Sequence, residues 1–344
     1  MSRFFYNSGS KNYLTEEISS MIDAADDYIK TGNFLFQDPM INNALLDALD
    51  RGVAVFILSN ISDPDAKRQE QEEGGHVDTH QTNLKELRRN GAHCRGLDDL
   101  HAKFIICDGD DGLLMSANYS PNSVGRNIET GVRLGQAEIR DLEFTFDVLY
   151  MNSDVQGLSG GGGRTQISRT RSIVDKEAFA DCGKDSGIRL TIASSNKSGK
   201  GTNLKECKVF SIYDTILDII RHSKETLDIV TWHFKALNRL PEFCTAVKDA
   251  SERGVRIRLY SNCKQPHPGL EKSMSCIREL EGLGCTNYGD DCNHSKCVMS
   301  ESEGILFTAN IDGNHGMKNG FEVGCILEGE DLNDMRNFVE SLFA

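Results

Sequence analysis

The stretch LHAKFIICD (100–108) places His101 and Lys103 two residues apart at the mouth of an apolar strand. Side chains alternate faces along a strand, so the imidazole and the ammonium project the same way and favour an anion between them. NHSKCVMSE (293–301) repeats the arrangement with His294 and Lys296. Phosphodiester transfer needs a nucleophile, an acid for the leaving oxygen, and positive charge or donors around the phosphoryl oxygens. Two histidines supply the first two roles, one neutral and attacking, the other protonated and donating. Lys103 and Lys296 neutralise the anion, and the amides of Asn118 and Asn310 add hydrogen bonds without adding charge. Such chemistry needs no divalent metal and no cofactor.

The match between the two stretches is long. LHAKFIICDGDDGLLMSANYS (100–120) is echoed by NHSKCVMSESEGILFTANIDG (293–313). Each copy reads H-x-K, four residues, an acid (Asp108 or Glu301), then Ser116-Ala-Asn118 or Thr308-Ala-Asn310. Glu129 follows His101 by 28 residues, and Glu322 follows His294 by the same interval. Together these features resemble the signature of the phospholipase D superfamily, most closely its nuclease and phosphodiesterase branch, with Glu301 standing where an Asp is usual. The resemblance implies two pseudo-symmetric α/β sandwich domains with the active site at their interface. It also implies a phosphohistidine intermediate, with His101 as nucleophile and His294 as acid. A histidine attacks well only if a carboxylate holds its tautomer, and interval and resemblance together make Glu129 and Glu322 the candidates. Asp108 and Glu301 read instead as structural hydrogen-bond or ion-pair partners, and Ser116 and Thr308 as supporting residues.

The elements that must carry these residues are duplicated too. ALDRGVAVFILSN (48–60) and ASERGVRIRLYSN (250–262) each read as a helix end, a glycine stop and a β-branched strand. Between strand and motif come the short helices LKELRRNGAHC and IRELEGLGCTN; downstream, NIETGVRL answers GFEVGCIL ahead of an acidic helix. Near the start of each half, Ile18, Met21, Ile22, Ala25 and Ile29 follow Thr15 as N-cap, and Ile212, Ile216, Ile219 and Ile220 follow Ser211 with Asp214 completing a capping box. The expected class is α/β, with domains over 1–150 and 188–344. Residues 151–187 form a Gly-rich basic linker whose run GLSGGGGRTQISRTR (157–171) reads as a flexible loop.

Composition narrows the function classes. A net charge of −14 argues against a protein that coats nucleic acid or anionic membrane with its whole surface. One segment differs: between Gly157 and Lys208 ten basic residues face five acidic ones. Arg164, Arg169 and Arg171 within it are candidate contacts for a nucleic-acid backbone. Eleven cysteines without framework spacing, and no signal peptide, point to a reducing cytoplasmic location.

Trp232 and His233 in TWHF (231–234), the strand end equivalent to TGNF (31–34), are candidate substrate contacts through base stacking or an acyl pocket. HVDTH (76–80) has the alternation of a metal site but lies in a charged stretch and reads as a solvated insertion; Cys292 and Cys297 flank a histidine already claimed by the repeat, which discounts zinc. The favoured substrate is nucleic acid. The alternative is phospholipid, as in a phospholipase D or a cardiolipin-synthase-like transferase, for which neither a spanning segment nor a lipidation signal is present. A tyrosyl-DNA phosphodiesterase and a scaffold with a degenerate site are weaker readings. With both motifs in one chain a monomer can hold a complete site, and a helicase or ATPase partner is not specified by the sequence.

Overall fold

The computed structural model describes residues 3–8, 11–60, 79–97, 100–158, 165–168, 174–193, 207–263 and 270–344. Two large mixed sheets carry the duplication. In the first, the parallel strands His93–Gly96, Ala54–Ser59 and Tyr28–Gly32 are followed by the antiparallel run Phe104–Cys107, Asp111–Met115, Glu129–Arg133, Phe4–Ser8 and Lys11–Asn12. The second repeats that order with Thr286–Asp290, Arg256–Asn262, Thr226–Val230, Cys297–Ser300, Gly304–Phe307, Gly320–Leu327, Ile188–Ala193 and Val209–Phe210. Parallel neighbours require crossovers. The helices Pro39–Asp50 and Thr79–Arg89 provide them in the first half, and Pro241–Glu252 and Leu270–Gly282 in the second. Gly52 (φ +93°) and Gly254 (φ +86°) end the first helix of each pair in the left-handed conformation that lets the chain turn into its strand.

Part of the expected linker is sheet. Asp154–Leu158 and Thr165–Ser168 pair antiparallel and extend the first sheet beyond His93–Gly96. Backbone pairing at a sheet edge needs little apolar content, so composition alone made this hairpin look like loop. Arg164, Arg169 and Arg171 lie outside the described residues.

Each sheet has its own outer core. Leu14, Ile18, Ile22 and Leu45 pack on the first sheet, and Ile212, Ile216, Ile220 and Phe243 on the second. A third core lies between the sheets and belongs to both halves. Leu100, Phe104 and Val132 meet Val230, Phe321 and Val323 there, with helices Gln136–Met151 and Gly329–Phe343 contributing Phe146, Leu149, Met335 and Phe338. Arg3 ties the first sheet's edge to the last helix, its Nε 2.7 Å from Asp331 Oδ2. Among the described residues no helix is long and apolar enough to cross a membrane.

The helix starts differ from the expected ones. The helix Tyr13–Ala24 begins before Thr15, whose hydroxyl donates to the Val124 carbonyl; Asn7 Oδ1 accepts from the Leu14 amide instead. Ile29 is a strand residue. Ser211 opens the helix Ser211–His222, but its hydroxyl bonds the Leu190 backbone rather than capping. In both cases a neighbouring strand satisfies or competes for the end groups, which local sequence cannot encode.

Candidate active site

Each H-x-K segment is sewn to the opposite half. The amides of His101 and Ala102 donate to the Phe321 carbonyl at 3.0 and 2.8 Å. Across the pseudo-twofold, the His294 amide donates to the Ile128 carbonyl at 2.9 Å, and the Ile128 amide to the Cys292 carbonyl at 2.8 Å. Phe321 and Ile128 are the residues just before Glu322 and Glu129, so the backbone crossing delivers each glutamate to the other half's histidine. His101 Nδ1 lies 2.9 Å from Glu322 Oε1, and His294 Nδ1 lies 2.8 Å from Glu129 Oε1. Equal intervals within each half conceal this exchange of partners.

The second oxygen of each glutamate is also used. Ser116 Oγ donates to Glu129 Oε2 and Thr308 Oγ1 to Glu322 Oε2, both at 2.5 Å. Each hydroxyl in turn accepts from the amide of the residue after its own glutamate, Thr130 at 2.9 Å and Val323 at 3.0 Å. The carboxylates are thereby fixed before an imidazole reaches them. Lys103 Nζ donates to the carbonyl of His101, and Lys296 Nζ to that of His294 at 2.5 Å; both lysines are buried. Asn118 and Asn310 are buried at matching positions of the two copies, and Asn310 Oδ1 and His294 Nε2 have no hydrogen-bond partner among the described residues. Buried polar atoms left this way mark where a ligand atom completes the network.

Electrostatics bears strongly on His101. Burial pushes His101 down to about 4, and Lys103 and Lys296 push the same way against Glu322. Lys296 of the second motif is thus near enough to act on His101 of the first. A neutral His101 with Nδ1–H held by Glu322 presents the Nε2 lone pair. Burial would raise Glu129, but His294, Lys296 and Ser116 outweigh it and hold the carboxyl at about 2. Burial likewise opposes ionisation of Glu322, and His101, Lys103 and Thr308 pull it below the usual range. The His101 side chain is 19 % exposed and that of His294 4 %. His101 is therefore the more accessible imidazole.

The motif acids act away from this centre. Asp108 accepts from the amides of Asp26, Asp27 and Tyr28 at 2.8–2.9 Å, and Glu301 from those of Lys224, Glu225 and Thr226 at 3.0–3.3 Å. Both fix the chain entering the central parallel strand, the structural role expected of them. Asp108 does so from a left-handed backbone at φ +54°. The extra methylene of Glu301 makes the same reach possible from another backbone conformation.

An aromatic ring stands beside each histidine. Trp232 is edge-on to His294 with ring centroids 5.5 Å apart, and Phe34 lies 5.7 Å from His101. The match of TWHF with TGNF is thus two residues out. Val230 pairs with Tyr260 and Cys297 as Gly32 pairs with Leu58 and Phe104, which equates Phe34 with Trp232 and Leu35 with His233. Shared Thr and Phe letters hid a shift that only strand register reveals. His233 Nε2 lies 3.5 Å from Asp312 Oδ2, a partner the sequence reading did not name.

His80 differs from the expected solvated insertion. It is buried, with Nδ1 accepting from the Phe36 amide at 3.0 Å and Nε2 bonded to the Asn60 carbonyl at 2.9 Å, so it anchors the segment that carries Phe34. His76 and Asp78 lie outside the described residues. Among the described residues no group of three His, Cys, Asp or Glu side chains is arranged to hold a metal ion.

Comparison with known proteins bears on the domain type and the fold. Residues 18–149 match the family model of the cardiolipin synthase PLD-like domain. Residues 18–149 are thus a phospholipase D-like domain. Phosphatidylserine synthase from Haemophilus influenzae Rd KW20 is similar in structure at 11% identity and TM-score 0.64, over 99% of this chain and 86% of that one. Polyphosphate kinase from Porphyromonas gingivalis is similar at 12% identity and TM-score 0.60, over 100% of this chain, which spans half the length of the kinase. Nuc from Salmonella typhimurium, a phospholipase D family member, aligns over 48% of this chain and 99% of its own at 18% identity and TM-score 0.37. For the synthase and the kinase, at these identities, the likeness is one of fold. No curated protein matches the chain in sequence.

Proposed function

We propose that this chain is a phosphodiesterase that works without a metal ion and cleaves nucleic acid through a phosphohistidine. The observation that carries the reading is the crossed pair of Glu–His hydrogen bonds beneath two buried lysines. His101 Nε2 attacks phosphorus, forming a P–N bond as the P–O bond to the leaving group breaks. His294, protonated, gives its proton to the leaving oxygen. Water then attacks the same phosphorus, the P–N bond breaks, and the water's proton returns to His294. Lys103, Lys296, Asn118 and Asn310 hold the non-bridging oxygens, which gain charge in each transition state. The low titration point of His101 supports it as nucleophile, since it is neutral at pH 7. Trp232, half-buried beside His294, supports a base-bearing substrate.

The family model's own description favours phospholipid as the second reading. One assay separates them. The purified chain is offered labelled single- and double-stranded DNA, RNA, and cardiolipin- or phosphatidylserine-containing vesicles in EDTA. Cleavage of nucleic acid in EDTA is expected. Turnover of lipid alone, or activity lost on chelation and restored by magnesium, overturns the proposal.

A further inference from the structure

The two halves are built alike, so each serves as a control for the other. Strand register equates Leu35 with His233, and the matched Asn118 and Asn310 equate Ser120 with Asp312. Phe36 bridges Tyr119 in the first half just as Phe234 pairs with Ile311 in the second. All four of the equated residues are buried. The first half therefore makes the same wall with Leu and Ser, whereas the second buries an imidazole and a carboxylate 3.5 Å apart. Burying such a pair carries a desolvation cost and is weak support for stability. The fold does not require it.

What accompanies the pair is a different aromatic. Phe34 is buried, but Trp232 is half-buried, with the His233 ring centroid 4.8 Å away and that of His294 5.5 Å away. Asp312 is itself held, accepting from the Asn314 amide at 2.7 Å. Burial would raise its titration, yet His233, that amide and His315 together pull it down, so it stays ionised against His233. Lys235 pairs with Asp312 in register, and Cys276 of the helix Leu270–Gly282 also lies within electrostatic reach of it.

We propose that His233 and Asp312 are a positioning pair that fixes Trp232 as a stacking platform for the nucleobase on the His294 side of the scissile phosphate. The inference rests on the nucleic-acid reading and deepens it. A base stacked on Trp232 has left its own helix, so the substrate class is single-stranded nucleic acid, or a strand from which that base is extruded. The planar indole would offer a lipid acyl chain no comparable selectivity.

Trp232 is the sole tryptophan, so its emission reports on the wall directly. In a His101→Asn background, which blocks turnover, acrylamide quenching of emission is measured together with binding of a dT oligonucleotide and of an abasic oligonucleotide of equal length. Stacking of one base predicts roughly tenfold tighter binding of dT than of the abasic strand, with quenching of Trp232 by dT. His233→Leu and Asp312→Ser install the first half's own residues at these places, so both should fold. Each is expected to increase acrylamide access to Trp232 and to shrink the dT preference to about twofold or less, with Asp312→Glu recovering part of both. Unchanged access and unchanged preference in the Leu and Ser variants overturn the pair's role. Equal binding of dT and abasic strands by the parent overturns the platform while leaving the nucleic-acid reading intact. Binding of neither, with vesicles cleaved instead by the unsubstituted enzyme, overturns that reading and the platform with it.

Discussion

His101 is neutral because burial and two lysines outweigh a carboxylate 2.9 Å away, and that balance has a pH signature. An unperturbed histidine gives kcat/KM an acid limb near 6.5. Here the limb assigned to the nucleophile is expected near 4, measured on the chelated enzyme with any cleaved diester. Between those values the unfolded chain binds a proton that the folded chain refuses, so stability is full above about 6.5 and falls as the pH drops toward 4, by up to roughly 3 kcal/mol. Glu322→Gln removes the one influence that raises His101. The limb should then move lower still, while the rate falls at least about 100-fold because the tautomer is no longer held. A limb that moved up would contradict the assignment. The histidines, lysines, asparagines and glutamates were legible in the sequence because duplication exposes them. Phe34, His80 and Asp312 were not, since each acts through a contact that no interval encodes.

At the scale of elements, the motif acids show how a chemical signature can hold structural residues. Asp108 satisfies three backbone amides at the entry to Tyr28–Gly32, and Glu301 does the same for Thr226–Val230. Hydrogen bonds to a charged acceptor are each worth about 1.5–3 kcal/mol in favourable settings, and less where solvent reaches them, as it does here. Asp108→Ala is therefore expected to cost about 1–3 kcal/mol in urea unfolding, with kcat within about twofold of the parent. A collapse of kcat in a variant that unfolds at the parent's urea concentration would place Asp108 in the chemistry instead. Strands and helices were readable from periodicity because half of each element faces a core. Their ends were not, because Asn7 and the Leu190 backbone reach in from other strands.

At the scale of the molecule, the central question is why two similar halves make one site rather than two. The crossed carboxylates answer it: neither half contains a complete Glu–His pair, and the apolar core between the sheets draws side chains from both. The duplicated motif revealed the two halves, but the exchange of partners was invisible because both intervals are 28 residues. A double-mutant cycle measures that exchange. Removing one member of a buried, hydrogen-bonded pair leaves the other uncompensated, so the second removal adds little. For Glu129→Gln with His294→Ala, which lie in different halves, the coupling in unfolding free energy is expected to be at least about 1 kcal/mol. For Glu129→Gln with His101→Ala, which share a half, the effects should add within about 0.5 kcal/mol. The reverse ranking would mean that each half pairs its own residues, and the halves would then be two sites that happen to touch.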